Sequence, residues 1–298
     1  MTVGERGLAT VRAPGRLRDI YELTKPRITF LVAVTAAMGF VLGSGSEVDW
    51  IVFAWTVIGT ALVSAGASAF NHHGERAIDA LMARTRNRPL PAGRMEPRTA
   101  IAVGVTASAA GIAILGWKAN PLAAFLGLAA LVSYVWVYTP LKRLSPLSTL
   151  VGAIPGALPP MMGWTAARGE LSVAAWALFG ILFFWQLPHF MAIAWLCRDD
   201  YARAGLLMLP VVEPDGRSAA RQAIIYAAIL VPVSLLPTML GVTGIWYFGV
   251  GLLLSLGLLG AAVGFSRSVE ERTAKRLLMA SVVYLPALCL ALVLDRVV

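Results

Sequence analysis

Charge is what this chain has least of. Only 14% of its 298 residues are Asp, Glu, Lys or Arg, against about a quarter in soluble domains. Apolar residues reach 58% and the mean hydropathy is +0.74. So little polar surface cannot coat a water-soluble body, which excludes a soluble enzyme and a disordered chain. Cysteine is scarce too. Cys197 and Cys289 lie far apart without C-x-x-C spacing, which excludes a disulfide framework and a cysteine zinc site. A cleavable leader is not evident either: residues 1–21 have no apolar run and carry Arg6, Arg12, Arg16 and Arg18, so they are expected to form a retained tail.

What the chain does have is long apolar runs. Nine stretches approach the roughly 20 residues that a span requires: 27–44, 51–70, 100–117, 121–139, 147–165, 172–195, 220–240, 245–265 and 277–294. The expectation is an all-α polytopic membrane protein, with a tail at 1–26 and a single nine-helix domain at 27–298. The fifth stretch contains Pro155, Pro159 and Pro160, tolerable only where neighbouring helices satisfy the freed carbonyls. Of the 25 lysines and arginines, all but Lys118, Arg168 and Arg296 fall on the side that holds the N-terminus. That side is therefore read as cytoplasmic. The net charge of +9 belongs to this asymmetry, so no nucleic-acid partner is expected; the partner is membrane lipid.

The spans themselves carry almost no charge. Polar residues gather instead at the cytoplasmic ends of two of them. After the second come Asn71, His72, His73, Glu75, Asp79, Arg84 and Arg88. If the helix continues, Asn71, Glu75 and Asp79 share one face at i, i+4 and i+8. An amide and two carboxylates form a hard oxygen set suited to Mg²⁺ with open positions for substrate phosphates. Arg84 and Arg88 could grip the same phosphates. The same residues would also serve as ordinary salt bridges on a solvated helix. After the sixth span come His189, Asp199 and Asp200. On an unbroken helix His189 and Asp200 would share a face, His189 about 16 Å deeper. His189 is either a histidine hydrogen-bonded within the bundle or a functional group, and ionisable residues inside spans favour the latter. Tyr138 and Lys142 follow the fourth span, Lys142 as a phosphate contact or a positive-inside anchor. Because the two acid-bearing ends stand four spans apart, a four-plus-four repeat with a ninth helix appended is expected to bring them to one cavity mouth.

At this point the residues resemble a known family. Asn71-x-x-x-Glu75-x-x-x-Asp79 resembles the first aspartate-rich motif of the UbiA superfamily of intramembrane prenyltransferases. More narrowly, Met82–Leu90, Tyr138–Arg143, Gly152–Pro160, Trp185–Phe190, Asp199-Asp200-Tyr201 and Met208–Val212 are similar to the protoheme IX farnesyltransferase family. The likeness runs from about Tyr21 into the last span. It implies a UbiA-like bundle with a central cavity open to the cytoplasmic leaflet of a bacterial plasma (inner) membrane. It also implies Mg²⁺-dependent transfer from farnesyl diphosphate to a vinyl group of protoheme IX, with addition of water, giving heme O. A heme A synthase or the terminal-oxidase assembly machinery would then be a neighbour.

The resemblance further implies roles. Asn71, Glu75 and Asp79 would bind one Mg²⁺, with Asp199 and Asp200 at a second pole of the diphosphate. Arg84, Arg88 and Lys142 would neutralise the remaining charge. Asn71, Glu75, Asp79, Lys142 and Asp200 form the catalytic set, and Phe183, Phe184 or Tyr134 offer faces to an allylic cation. Tyr138, His73 and above all His189 would meet substrate, His189 as heme-iron ligand or propionate partner. Two departures stand out: Glu75 replaces a frequent aspartate and Ala77 a frequent acid, and the second metal set is thinner than in quinone-directed relatives. His189 stands near the place of an acid in quinone-directed relatives, which fits a porphyrin acceptor. The rival readings are a prenyltransferase for an aromatic acid or quinone precursor and, from another class, a secondary transporter.

Overall fold

In the computed structural model, which describes residues 15–297, the described chain is almost wholly helical. Residues 1–14 of the expected tail lie outside the described residues. The long helices are α1 (Pro26–Gly43), α2 (Trp50–Asp79), α3 (Pro97–Ala119), α4 (Pro121–Leu141), α5 (Ser148–Arg168), α6 (Val173–Leu196), α7 (Arg217–Met239), α8 (Ile245–Arg267) and α9 (Glu271–Leu294). Their ends follow local chemistry. Pro26, Pro97 and Pro121 open α1, α3 and α4, where a missing N–H costs nothing. Asp49 accepts from the Ile51 and Val52 N–H groups at the start of α2, and Asn120 from Ala123 at the start of α4. Each satisfies donors the first turn leaves open.

Among the described residues, eight of these helices are long and apolar enough to cross a membrane. The expectation was nine. The remaining one, α5, is fully helical, but its three prolines and its glycines lower its apolarity. Lipid does not solvate most of α5; protein does. Pro155, Pro159 and Pro160 are all buried, so neighbouring helices surround the interrupted hydrogen-bond ladder.

Small residues set how closely the helices approach. A Cβ on Gly163 would stand 1.9 Å from the Ala36 carbonyl oxygen, and one on Gly39 2.0 Å from that of Pro160. Thus α1 and α5 cross with their backbones almost in contact, the small-residue packing typical of membrane bundles. In the same way Gly66 receives Ser108 where α2 meets α3. Helices α2 and α3 pair as α6 and α7 do, and α1 and α5 pack against each other between them. At the end away from the basic loops, Arg168 and Arg296 donate to the Gly43 and Val41 carbonyls in the last turn of α1. Lys118 sits over Trp55 at 5.7 Å. The three cations that depart from the charge asymmetry are thus all held at that end.

Candidate active site

Helix α2 is 30 residues long, about 45 Å at 1.5 Å per residue and so longer than a hydrocarbon core of about 30 Å. It runs unbroken through Asp79, and its last turns carry Asn71, Glu75 and Asp79 on one face. All three are buried, Asp79 completely. Each meets a basic group from a different part of the chain. Lys25, just before α1, donates to Asn71 Oδ1 at 2.8 Å. Lys142, just past α4, donates to Glu75 Oε1 at 2.6 Å. Arg88, in the loop after α2, donates to Asp79 Oδ2 at 2.8 Å. Buried carboxylates are tenable only with such partners. Asp79 Oδ1 nevertheless has none among the described residues.

Lys25 was counted at the sequence level only as a positive-inside charge. The structure puts it in the site, and in an unusual backbone. Its φ of 46° and ψ of 61° are left-handed, which costs a side chain with a Cβ about 1–2 kcal/mol. Such strain survives where surrounding contacts hold it, as at functional sites. Burial first, and then the charge of Arg88, push the Lys25 ammonium down to about 7. Lys142 behaves oppositely. Burial works against its charge, but Tyr138, Glu75 and Tyr134 together raise its pKa above the usual lysine value. Its Nζ lies 4.4 Å from the centre of the Tyr138 ring.

Tyr134 and Tyr138 belong to a π-helical turn, Ser133–Tyr138. Pro140 lacks an N–H, and the wider turn fits just before it. Thr139 donates both its N–H and its hydroxyl to the Tyr134 carbonyl and accepts from Asn71 Nδ2 at 3.3 Å. Gly152 opposite leaves room for the ring: a Cβ there would stand 2.5 Å from Tyr138.

The second acidic set is built differently. Helix α6 ends at Leu196, and a separate short helix, Arg198–Arg203, follows. The single helix expected to align His189 with Asp200 is therefore interrupted at Cys197. Asp200 pairs with Arg203 and accepts from the Ala83 N–H at 3.2 Å. That bond ties it to the loop between Asp79 and Arg88, so both acid-bearing ends do reach the same part of the molecule. Asp199 is 81% exposed, with Arg198 at 4.0 Å. Among the described residues no three acidic, histidine or cysteine side chains converge to hold a metal ion. That is as true of the α2 face as of the expected second pole, where Asp199 faces solvent and Asp200 is paired with a guanidinium and a backbone N–H.

A cavity of about 400 Å³ runs from Lys25 and Tyr138 past Tyr134, Trp185 and Gln186 to His189. Its wall is otherwise largely aliphatic. Of the three aromatics expected to face a cation, only Tyr134 lines it; Phe183 and Phe184 pack against Phe179 and Tyr226. Arg84 is exposed and makes no ion pair among the described residues. His73 is half-buried with its Nδ1 unpartnered, and His72 is buried with both ring nitrogens unpartnered. Lys25, Thr139 and Trp185 were not singled out from sequence, although Thr139 and Trp185 stood inside recognised strings.

The donor set suits Mg²⁺ that arrives with substrate. Glu75, Asp79 and the Asn71 amide oxygen are hard ligands, and Asp79 Oδ1 is buried and free. Magnesium bound to substrate phosphates requires only one or two carboxylates from protein.

The UbiA prenyltransferase family model matches residues 32–284. The chain belongs to this family. A curated relative named protoheme IX farnesyltransferase, from Solibacter usitatus, is 46% identical over 292 residues, covering 94% of this chain and 99% of the relative. A digeranylgeranylglyceryl phosphate synthase structure superposes with a TM-score of 0.79 at 16% identity, covering 94% of this chain and 98% of that one. A UbiA homolog from Archaeoglobus fulgidus bound to DMAPP and Mg²⁺ gives a TM-score of 0.65 at 16% identity, over 92% and 99% of the two chains. These two likenesses establish a shared UbiA fold. The chain is an integral membrane prenyltransferase.

Proposed function

We propose that this prenyltransferase transfers a farnesyl group from farnesyl diphosphate, with addition of water, to a vinyl group of protoheme IX, giving heme O and diphosphate. The observation that carries this reading is the near-full-length identity to a protein named protoheme IX farnesyltransferase. The site supports it chemically: a buried cluster of acids and cations at one end of an apolar cavity, and a histidine along the cavity wall. The basic helix ends, the site and the N-terminus face the cytoplasm of a bacterial inner membrane, because the cations concentrate there.

Mg²⁺, when bound by Asn71, Glu75 and Asp79 together with the substrate phosphates, supplies neutralisation of the departing diphosphate. The residues of the chain do the rest. Lys25, Lys142 and Arg88 neutralise the acidic face of α2 in the structure described here. On substrate binding they exchange those partners for phosphate oxygens, leaving the α2 oxygens free. Charge of this kind, positioned before the allylic C–O bond breaks, lowers the barrier most where charge develops. Tyr134 and Tyr138 present ring faces to the allylic cation in a pocket that excludes water. The vinyl carbon attacks C1 of the farnesyl cation, water adds to the resulting porphyrin cation, and a proton leaves. Asp200 holds the Ala83 loop, and through it Arg88, in register. Asp199 stays in solvent.

The test is a reconstitution of purified protein with heme, farnesyl diphosphate and Mg²⁺, followed by mass analysis of extracted porphyrins. A gain of farnesyl plus water, lost with EDTA, is the expected result. Unchanged heme beside a prenylated quinone-type acceptor would overturn the assignment of acceptor while leaving the family intact.

A further inference from the structure

His189 sits on α6 against Ser281 of α9, with Nδ1 2.8 Å from Ser281 Oγ. That contact has a direction. The Ser281 hydroxyl also lies 2.6 Å from the Leu278 carbonyl oxygen, which can only accept. A hydroxyl has one proton, and here Leu278 takes it. Ser281 Oγ must therefore accept from His189, so Nδ1 carries the hydrogen. Trp185 closes the arrangement. Its indole N–H donates to the Ser281 carbonyl at 2.8 Å, and its ring stacks on the imidazole at 5.4 Å and 25°. Nε2 has no hydrogen-bond partner among the described residues, and His189 lines the cavity.

We infer that Ser281 and Trp185 are positioning residues that hold His189 in the Nδ1-protonated tautomer, presenting the Nε2 lone pair to the cavity as a ligand for the iron of a porphyrin acceptor. The other tautomer would offer an N–H, suited to a propionate. The hydrogen-bond direction thus decides between two roles that sequence alone leaves open. Histidine ligands to metals characteristically donate their second ring N–H in this way, and removing that acceptor costs about 10–100-fold in metal affinity. The iron-ligand half of the inference rests on the proposed function; the tautomer does not.

The chain has three histidines, so ¹⁵N-histidine labelling gives a tractable spectrum, with His189→Gln identifying one pair of ring signals. The expected result is a pyrrole-type Nδ1 and a pyridine-type Nε2 in the wild-type protein. Ser281→Ala should mix the tautomers and weaken binding of hemin about tenfold, with a changed Soret band. Binding of metal-free protoporphyrin IX should be unaltered, and Ser281→Thr should restore both readouts. A pyridine-type Nδ1 in the wild type would overturn the inference whatever the variants do. So would equal loss of hemin and metal-free porphyrin in a folded Ser281→Ala protein. Heme left unfarnesylated in the reconstitution, with the tautomer and the preference for iron intact, would overturn the proposed function instead.

Discussion

The two acid-bearing helix ends look alike in sequence and are unlike in space. Asn71, Glu75 and Asp79 ride on a helix that never stops, so their spacing becomes a single buried face, each member held by a cation from elsewhere in the fold. Asp199 and Asp200 follow a helix that ends at Leu196. Their pairing is with local arginines, Asp199 at the surface and Asp200 partly buried, apart from one bond from Ala83. The two ends differ in where the partners come from, cations distant in the chain for α2 and neighbouring arginines after α6, and in the exposure of Asp199. A desolvated carboxylate binds its partner strongly and is costly to leave alone, whereas an exposed pair is worth little.

That contrast can be broken by mutation. The largest effect belongs to Asp79→Asn. It should lower heme O formation about a thousandfold, equivalent to ~4 kcal/mol of barrier, with a smaller loss of substrate binding. Turnover within tenfold of wild type would remove Asp79 from the reaction. Gly152→Ala comes next. The added methyl would meet the Tyr138 ring, so the ring and Lys142 must shift, at about 1–3 kcal/mol. Thermal melting and turnover should both fall, and a variant with an unchanged melting midpoint and full activity would show that the Tyr138 position is unimportant. Asp200→Asn should reduce turnover about tenfold by loosening the Ala83 loop, as outer-shell partners do; loss as complete as for Asp79 would equate the two ends. Asp199→Asn should change activity by no more than about twofold, since exposed pairs contribute little. A hundredfold loss there would place Asp199 in a second metal pole.

Much of this was legible in the residues because helix periodicity is local. The 3.6-residue repeat and an uninterrupted run place Asn71, Glu75 and Asp79 together without knowledge of the fold. The long apolar runs located the long helices to within a few residues, with two exceptions: α2 continues to Asp79, nine residues past the run read to 70, and α9 begins at Glu271, a turn and a half before the stretch read from 277. What stayed hidden depends on distant partners. Lys25 reaches Asn71 across 46 positions from a left-handed backbone, and neither fact has a local signature beyond a lysine before a proline. Ser281 reads as one more small residue in a span, yet it orients His189 from 92 positions away. The alignment of His189 with Asp200 failed because no strong stop signal precedes the break at Cys197. The count of spans differs at α5 for a related reason: its prolines cost apolarity, and the neighbours that make them tolerable are set by tertiary packing.

The most direct measurement of the contrast is the dependence of farnesyl diphosphate binding on Mg²⁺, by calorimetry on wild-type, Asp79→Asn and Asp199→Asn proteins. The account predicts that the gain in affinity conferred by Mg²⁺ is kept in Asp199→Asn and lost in Asp79→Asn. If Asp199→Asn loses that gain while Asp79→Asn keeps it, the acidic face of α2 is not where the metal-bound diphosphate is held.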